Sequence, residues 1–312
     1  MTDRRVTLKD VAAASGVSPA TVSFVLNRTA GQTISAATRQ RVEAVADRLG
    51  YAPHGLARAL REGSSRVVVL RVDRTDGGSS LHGFVRGMRE ELASLDHALV
   101  VHAVEGAPAG PDEDLDRALA GLRPHAVLDL VGAYAQEEAA DGGWVDGLAA
   151  HSRTQLEHLV DRGHRHLALA LPERVQPDRV RTARHRYALA AAERLGLPAP
   201  REIVVPADAR RAAGVLSALQ SAAPQVSAVA GFDDETALRV LAALSDLGLS
   251  APADLAVIGF DEGRHAALWR PALTTVRIEA ETFGRRAARS ALGLELGDWS
   301  VAPSAVVRRE TA

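Results

Sequence analysis

Cysteine is absent from the 312-residue chain, and aromatic residues make up only 4% of it. The absence of cysteine excludes disulfide bonds and thiolate metal sites. No apolar run reaches the ~20 residues that a membrane-spanning helix needs, and the N-terminal segment is polar, unlike a signal peptide. We therefore expect a cytoplasmic protein without a membrane partner, a metal or a cofactor.

Lysine is nearly absent as well, since Lys9 is the only one and almost every positive charge is an arginine. The charges are unevenly distributed along the chain. Residues 1–66 contain ten Arg or Lys and five Asp or Glu, a net charge of +5, whereas the whole chain carries −2. A basic N-terminal segment on an acidic remainder is typical of a protein that contacts phosphate at one end only.

Catalytic motifs are missing too, because the chain contains no GxSxG, P-loop or HExxH pattern. His164 and His166 lie on one face of an extended segment and could begin a metal site, but no third ligand is near them in the sequence. We therefore predict that the protein is not an enzyme and that it binds no metal.

Residues 6–27, VTLKDVAAASGVSPATVSFVLN, have the pattern of two short helices joined by a tight turn. Gly16 can adopt the positive φ that such a turn requires. Ser18 can cap the second helix, and Pro19 fits at its first position. The positions predicted to face inward are Leu8, Val11, Ala12, Val22, Val25 and Leu26. The pattern predicts a helix-turn-helix that can enter a major groove, although an αα-corner has the same pattern.

A third helix is predicted next, capped by Ser35 and ended by Gly50. Its inward positions are Val42, Val45, Ala46 and Leu49. A short amphipathic segment, residues 51–61, then begins at a proline. These additions favour a DNA-binding unit over an isolated αα-corner.

Three stretches in this region, TVSFVLN (21–27), ISAATRQRVEAVADRLGYAP (34–53) and LARALREG (56–63), resemble the DNA-binding headpiece and hinge of the LacI family of bacterial transcription regulators. The resemblance is nearly gapless over about the first sixty residues. It implies a helix-turn-helix headpiece (1–52) that reads one half-site of a palindromic operator in double-stranded DNA. It also implies a hinge helix (53–65) that enters the minor groove. Leu60 falls where the family places a leucine wedge, which unstacks a base step and bends the duplex.

The expected DNA contacts follow from this resemblance and from the exposed positions of the second helix. They are Thr7, Ser18, Pro19, Ala20, Thr21, Ser23, Phe24 and Asn27 in the headpiece and Ala57, Arg58 and Leu60 in the hinge. The hydroxyl and amide side chains Thr7, Ser18, Thr21 and Asn27 are assigned to phosphate. Phe24 stands where many family members have arginine, so it contacts a thymine methyl or a groove shape instead of donating to guanine.

After the hinge, predicted strands alternate with predicted helices in two successive βαβ series. The predicted strands are 66–72, 98–104, 126–131, 166–171, 203–205, 228–230 and 255–258. The predicted helices are 81–95, 112–122, 153–162, 183–195, 209–222 and 235–247. This order predicts an α/β fold of two Rossmann-like parallel-sheet subdomains, with a ligand cleft at the carboxyl ends of the strands.

Five further stretches are similar to the effector domain of the same family, which is related to periplasmic sugar-binding proteins. They are LVDRGH (159–164), DDETAL (233–238), VIGFD (257–261), PALTT (271–275) and VVRRET (306–311). The resemblance implies an effector-binding and dimerisation domain over residues 66–312. Its N-subdomain would cover about 66–162 plus 281–300, and its C-subdomain about 163–280 plus 301–312.

By position in the family pattern, Arg184, Asp233 and Asp261 are expected to contact the effector. Asp146 aligns with a further family acid, and Asp73 is included because it follows the first predicted strand. Carboxylates that accept from hydroxyls, together with an arginine that donates, suit a polyol such as a carbohydrate. For Arg184 and Asp261, a structural ion pair in the cleft is the alternative.

The sequence departs from the family pattern in the sensor region. Asp233 stands where many members have asparagine, and Tyr187 replaces a small residue near Arg184. Between Val131 and Leu156 the chain is shorter than the pattern, so a strand-helix unit is expected to be missing or degenerate, and the pocket to be remodelled, shallow or absent.

The combined prediction is a sequence-specific DNA-binding transcription regulator, a repressor that acts as a homodimer and responds to a small carbohydrate-like effector. A regulator whose sensor has lost its ligand response is the first alternative, and the shortened segment keeps it open. A solute-binding transport protein shares the sensor fold, but the basic headpiece and the polar N-terminus argue against it. A Rossmann-type enzyme would need a phosphate-binding glycine fingerprint after its first strand, which is missing.

Overall fold

The computed structural model describes residues 6–26, 31–51, 65–73, 78–104, 113, 117, 119, 121–133, 143–173, 179–298 and 304–312. They belong to two units, Met1–Ser65 with Ala118–Arg123 and Arg66–Arg117 with Pro124–Ala312. We call the first the headpiece and the second the sensor. The predicted hinge helix and most of the predicted helix 112–122 lie outside the described residues.

Three helices build the described part of the headpiece: α1 (Leu8–Ser15), α2 (Pro19–Leu26) and α3 (Ala36–Leu49). The turn between α1 and α2 is made by Gly16 with a φ of 68°, as predicted. The Asp10 carboxylate closes the start of α1 by accepting a hydrogen bond from the Thr7 backbone N–H at 2.8 Å. The predicted cap of α3 is confirmed, because the Ser35 hydroxyl accepts from the Thr38 N–H at 3.2 Å.

The headpiece core consists of small apolar side chains that the helical spacing predicted to face inward. The buried members are Val11, Ala12, Val22, Val25, Val42, Val45 and Ala46. One hydrogen bond within this unit spans the gap between helices, from Arg41 Nε to the Ser15 carbonyl at 3.0 Å. Each helix buries one stripe, which is the geometry that three short amphipathic helices need to stabilise one another.

Two parallel sheets organise the sensor, which confirms the predicted α/β fold class. In the first sheet the order is β2 (Ala98–Val104), β1 (Val67–Asp73) and β3 (Ala126–Asp129). In the second the order is β5 (Arg201–Val205), β4 (Leu167–Pro172), β6 (Ala228–Gly231) and β7 (Ala256–Ile258). We call the parts built on these sheets the N-lobe and the C-lobe. A short antiparallel pair, β8 (Thr275–Arg277) and β9 (Ala305–Val307), completes the sensor strands described.

Helices cover both sheets. They are α4 (Ser79–Ser94), α5 (Leu130–Ala133), α6 (Trp144–Asp161), α7 (Arg179–Arg194), α8 (Ala209–Ala222), α9 (Asp234–Asp246) and α10 (Ala280–Ala291). Helices α4 and α10 cross in close contact because glycines stand at the crossing. A Cβ on Gly284 would lie 2.0 Å from the Phe84 carbonyl oxygen, and one on Gly87 would lie 2.1 Å from the Glu281 carbonyl oxygen.

The central strand of the C-lobe shows why both of its faces are covered. Along β4, Leu167, Leu169 and Leu171 join a core cluster that also includes N-lobe side chains, whereas Ala168 and Ala170 join a second cluster with α8 and α9. Because successive strand residues point to opposite faces, a continuous apolar run is what a sheet covered on both sides requires.

The structure corrects two element predictions. The predicted strand 126–131 ends at Asp129, because Leu130–Ala133 form a helical turn in which Asp129 Oδ1 accepts from the Gly132 N–H at 3.0 Å. The predicted helix 153–162 begins earlier, at Trp144. The start of this helix is rich in Gly and Ala and lacks an apolar stripe. Close packing requires glycine at position 147, because a Cβ there would lie 2.6 Å from Phe283 Cζ. The elements β8, α10 and β9 had not been predicted.

Candidate DNA-binding surface and effector cleft

The outward face of α2 carries the residues predicted to contact DNA. Ser18, Pro19 and Ala20 are exposed, and Thr21, Ser23 and Phe24 are half-buried. Val22 and Val25 point into the core with no exposed surface. Thr7 is exposed at the start of α1. Asn27, Ala57, Arg58 and Leu60 lie outside the described residues.

The start of α2 is fixed by its own hydroxyl groups. Ser18 Oγ accepts from the Thr21 N–H at 3.1 Å, which confirms the predicted cap, and it lies 2.9 Å from Thr21 Oγ1. A helix N-terminus with two hydroxyls beside it can donate to a phosphate and attract its charge. The neighbouring Pro19 and Ala20 offer only apolar contact, which suits close approach to a groove.

A cleft of about 1250 Å³ opens in the sensor at the carboxyl ends of the C-lobe strands. Its N-lobe wall is the start of α4, and its C-lobe wall is the end of β4, the start of α9 and the loop after β7. The residues lining it are Gly78, Ser79, His82, Gly83, Arg86, Pro172, Glu173, Asp233, Asp234, Glu235, Thr236, Leu238, Arg239, Asp261, Glu262, Gly263, Arg264 and His265. Its position is the one predicted for a parallel α/β sheet.

Two of the predicted effector residues, Asp233 and Asp261, line this cleft. Asp233 caps α9, and its Oδ1 accepts from the Thr236 N–H at 2.7 Å. Asp261 Oδ1 accepts from the Ser80 hydroxyl of the N-lobe at 2.5 Å. Burial raises the pKa of Asp261 to about 6, against the opposing effects of the Ser80 hydrogen bond and the positive charge of Arg184. The two carboxylates therefore sit where a ligand hydroxyl could donate to them.

A third carboxylate, Asp234, was missed by the sequence analysis. It accepts hydrogen bonds from the Thr275 hydroxyl and from the Gly263 N–H, the latter at 2.5 Å, and so ties the loop after β7 to α9. Burial raises its pKa to about 7, although both hydrogen bonds oppose that shift. The Asp-Asp pair at a strand-to-helix turn was the available signal, but the pattern does not tell which of the two turns inward.

Arg184, which is expected to contact the effector, is not among the residues that line this cleft in the described part of the chain. Only 3% of its surface is exposed. Its Nη2 donates to the Phe232 carbonyl at 2.9 Å, its Nη1 donates to Ser152 Oγ at 3.2 Å, and the guanidinium carbon lies 3.3 Å from the Phe260 ring centroid. Burial lowers the pKa of Arg184 to about 10. It makes no direct ion pair with Asp261 within the described part of the chain, so the expected alternative is not seen either.

Helix α6 supplies buried polar residues that had not been predicted, among them His151, Ser152 and Gln155. Gln155 Nε2 donates to the carbonyls of Gly231 and Gly259, both at 2.9 Å, and so joins the ends of β6 and β7. Burial, with the nearby charge of Arg184, lowers the pKa of His151 to about 4 and keeps its ring neutral. His151 and Ser152 lie in the part of the helix before residue 153 that the sequence pattern did not reveal, whereas Gln155 lies within the predicted helix.

Asp73 is the last residue of β1, and Asp146 lies in the first turn of α6. Their contact with an effector stays a prediction. His164 Nδ1 lies 2.8 Å from the Ser227 hydroxyl, a structural contact. Within the ranges described, no group of three or more potential ligands could hold a metal ion. None of the helices in those ranges is long and apolar enough to cross a membrane.

Charges at the mouth of the cleft are largely paired. Arg86 pairs with Glu281, and Arg239 pairs with Glu235 one helical turn away. Glu262 contacts two arginines of the C-terminal part of the chain, and their charges and hydrogen bonds lower its pKa. Such exposed pairs contribute little to stability, so their main effect is on the charge and the side-chain positions at the cleft mouth.

Two family models match the chain. Residues 7–54 match the bacterial regulatory proteins of the lacI family, and residues 156–311 match the periplasmic binding protein-like domain. The HTH-type transcriptional regulator TreR of Escherichia coli is 49% identical over 72 residues, which cover 23% of this chain and 22% of that protein. The curated relative is therefore matched over about a fifth of its length.

Solved structures extend the likeness to the whole fold. A lac repressor dimer bound to operator and the anti-inducer ONPF matches with a TM-score of 0.75 and 22% identity, over 99% of each chain. The transcriptional regulator CelR in complex with cellobiose matches with a TM-score of 0.59 and 22% identity, over 99% of this chain and 100% of that one. At these identities the likeness establishes the fold.

Proposed function

Because the chain belongs to the lacI family of bacterial regulatory proteins, we propose that this DNA-binding transcription regulator is a repressor that binds a palindromic operator as a homodimer. We further propose that a small carbohydrate-like effector in the sensor cleft changes its affinity for the operator. It acts in the cytoplasm and has no catalytic role. The observation that carries the proposal is the outward face of α2, which presents small and apolar side chains on a capped helix.

The recognition chemistry follows from what α2 exposes. Pro19 and Ala20 are exposed and have no hydrogen-bonding side chains, so they read a groove by shape and by contact with thymine methyl groups. Phe24 is half-buried and adds a larger apolar contact. Ser18, Thr21 and Thr7 position the helix on the phosphates. A single headpiece with so few base-specific donors would discriminate weakly.

Two half-sites compensate for the weak discrimination of a single headpiece. When two headpieces are joined, the second binds intramolecularly, and the affinity and specificity of the pair exceed those of either one. The lac repressor structure that shares this fold is a dimer bound to its operator. A palindromic site and a homodimer are therefore the arrangement that this headpiece supports best.

For the effector, the cleft offers carboxylates at its C-lobe wall. In both Asp233 and Asp261 one oxygen accepts a hydrogen bond within the protein, which leaves the second oxygen as an acceptor for a ligand hydroxyl. A regulator with the same fold has been solved with cellobiose. Arg184 supports this site from behind, by fixing the Phe232 carbonyl and the Phe260 ring beside the two carboxylates.

A regulator without a ligand response is the second candidate, and one observation favours it. The groups expected to hold an effector already bind protein partners: Arg184 donates to Ser152 and Phe232, and Asp261 accepts from Ser80. A ligand that takes one of these atoms must replace a contact already made within the protein, so it gains less from binding.

DNA recognition is tested by selecting duplexes from a random pool with the full chain and measuring the affinity for the selected site over a salt series. We expect a palindrome and a steep loss of affinity with salt. Phe24→Ala should weaken the selected site by about tenfold, through the lost apolar contact. Leu247→Ala, an exposed apolar position in the sensor, is the matched control and should change nothing. Selection of no common sequence would refute sequence-specific regulation.

Effector gating is tested by titrating mono- and disaccharides, cellobiose among them, against the operator complex. The proposal expects at least one sugar to shift the operator affinity, and Asp233→Ala to abolish that shift. Asp246→Ala, an exposed acid at the other end of α9, should leave it unchanged. If operator binding is selective and no sugar in the panel shifts it, the ligand-unresponsive regulator replaces the gated one.

A further inference from the structure

Helix α4 begins without a cap of its own. Its N-cap is Gly78, which has no side chain, and its first turn contains no acidic residue. The first N–H groups of a helix have no partner inside the helix, and a side-chain acceptor normally compensates for them. In α8 and α9 that acceptor is the N-cap aspartate, Asp208 or Asp233. This sixteen-residue helix at the cleft wall therefore starts without a side-chain acceptor or an acidic residue of its own.

The carboxylate of Asp261, from the opposite lobe, lies at this bare start. The Ser80 hydroxyl in the first turn of α4 donates to Asp261 Oδ1 at 2.5 Å. A Cβ on Gly78 would lie 2.4 Å from Asp261 Oδ2, so only glycine leaves room for the carboxylate against the N-cap. An anion at a helix N-terminus is stabilised by the aligned peptide dipoles. Asp261 thus stands where the missing cap would be.

The contact joins parts of the chain that are 181 residues apart, and it joins the two walls of the cleft. Behind Asp261, the loop is held to the C-lobe by Asp234, which accepts from the Gly263 N–H, and by the Asp261 N–H, which donates to the Val276 carbonyl at 2.9 Å. Beyond Ser80, α4 packs along α10 at the Gly87–Gly284 crossing. Both ends of the hydrogen bond are therefore anchored in rigid parts of their lobes.

We propose that Asp261 caps α4 from the opposite lobe and that the Ser80–Asp261 hydrogen bond is a latch that holds the cleft walls together in the absence of effector. A ligand hydroxyl that donates to Asp261 Oδ1 displaces Ser80 from that oxygen, and the latch then opens. Binding in the cleft is in this way converted into a change at the start of an N-lobe helix. The ligand half of this inference rests on the proposed effector gating, whereas the cap itself does not.

The cap is tested on the ligand-free full chain by hydrogen exchange resolved by mass spectrometry. Ser80→Ala and Asp261→Ala should each raise the exchange rate of the amides at residues 79–84 by about five- to tenfold, the effect expected from loss of a helix cap. Ser80→Thr keeps the hydroxyl and should restore protection. The matched controls are Ser217→Ala and Asp246→Ala, both exposed helical positions away from the cleft. Peptides from α8 should be unchanged in every variant.

The outcomes separate a latch from a simple packing contact. Exchange at residues 79–84 that stays within twofold of the wild type in both variants would overturn the cap. Faster exchange spread equally over α4 and α8 would overturn it too, because it would show a general loss of stability.

The operator affinity of the same variants tests the signalling half. A shift of at least threefold in Ser80→Ala, absent in Ser217→Ala, supports coupling of the latch to DNA binding. An unchanged affinity with raised local exchange would overturn the coupling. A sugar panel without any active member would remove the effector gating and leave the cap standing, so the two failures are distinguishable.

Discussion

The headpiece and the sensor differ in the sequence separation between the residues whose hydrogen bonds fix their structure. In the headpiece, the helix starts are fixed by bonds between residues three apart, such as Ser18 with Thr21 and Ser35 with Thr38. In the sensor, Ser80 meets Asp261 across 181 positions, and Gln155 reaches Gly259 across 104. A DNA-reading surface can be built by local rules, whereas a ligand cleft is assembled from pieces that only the tertiary fold brings together.

The most severe test of the sensor side of this comparison is Gly284→Ala. The added Cβ would lie 2.0 Å from the Phe84 carbonyl oxygen, so α10 must move away from α4, and we expect a loss of about 3 kcal/mol in the free energy of unfolding. Tryptophan fluorescence in urea measures it, because all three tryptophans belong to the sensor. Gly214→Ala in α8, with nothing within 4 Å of the added atom, is the control and should stabilise by up to ~1 kcal/mol.

Val22→Ala tests whether the headpiece is as self-contained as its short-range contacts indicate. Val22 has no exposed surface, and its truncation should cost the headpiece about 2 kcal/mol. Circular dichroism and operator titration should register the loss, and the sensor tryptophan transition should not move. A shift of both transitions by the same amount would show that the two units fold as one. Ala13→Ser, at an exposed position of α1, serves as the control.

A pH series probes the buried interior of the sensor. The pKa of His151 is lowered to about 4 in the folded state and lies near 6.5 when unfolded, so below pH 6.5 the unfolded chain binds the extra proton. The contribution of His151 to the free energy of unfolding should therefore decrease by about 2 kcal/mol as the pH is lowered from 7 to 5. Asp234 and Asp261, whose pKa values are raised, act in the opposite direction.

The His151 contribution is isolated as the difference between the wild type and His151→Gln in urea unfolding at each pH. The wild type should lose stability relative to the variant as the pH falls from 7 to 5. A difference that is constant over this range would mean that His151 is accessible to protons in the folded sensor.

The smallest expected effects come from removing one helix N-cap in each of the two units. Ser18→Ala removes the cap of α2, and Asp208→Ala removes the cap of α8, where Oδ1 accepts from the Arg211 N–H at 2.9 Å. Each should cost about 1 kcal/mol. In the headpiece that is a large part of the stability of a small core, so operator affinity should drop; in the sensor the thermal midpoint should shift by a few degrees. Equal relative losses of stability in both units would show that the headpiece depends no more on its helix caps than the sensor does.

Sequence patterns predicted the headpiece almost completely. The turn at Gly16, the caps Ser18 and Ser35 and the inward valines all follow from spacing along single helices, and the structure confirms each of them. The alternation of strands and helices in the sensor was predicted as well, because strands buried on both faces have continuous apolar runs. Errors came where packing against a distant residue decides the structure, as at Gly147 against Phe283 in α6.

For the cleft, too, the sequence predicted some of the polar residues and missed others. Asp233 and Asp261 could be named in advance because they fall at positions where the family resemblance implies effector contacts. The position of Arg184 behind the wall could not, since it depends on Ser152, Phe232 and Phe260 arriving from three other elements. Gln155 and His151 carried no signal, because a lone polar residue in a helix pattern indicates solvent far more often than a buried bridge.

For this protein, the sequence by itself determined the class: a basic three-helix headpiece of the helix-turn-helix type, followed by a two-lobed parallel α/β sensor. Those properties depend on hydrophobic periodicity and on caps that act within one turn, so neighbouring residues suffice to specify them. Only the tertiary structure decided which carboxylates face the cleft, which arginine is withdrawn from it, and that Asp261 lies at the start of α4. Such facts depend on the burial and the electrostatics of groups far apart in sequence, which come into contact only when the lobes fold together.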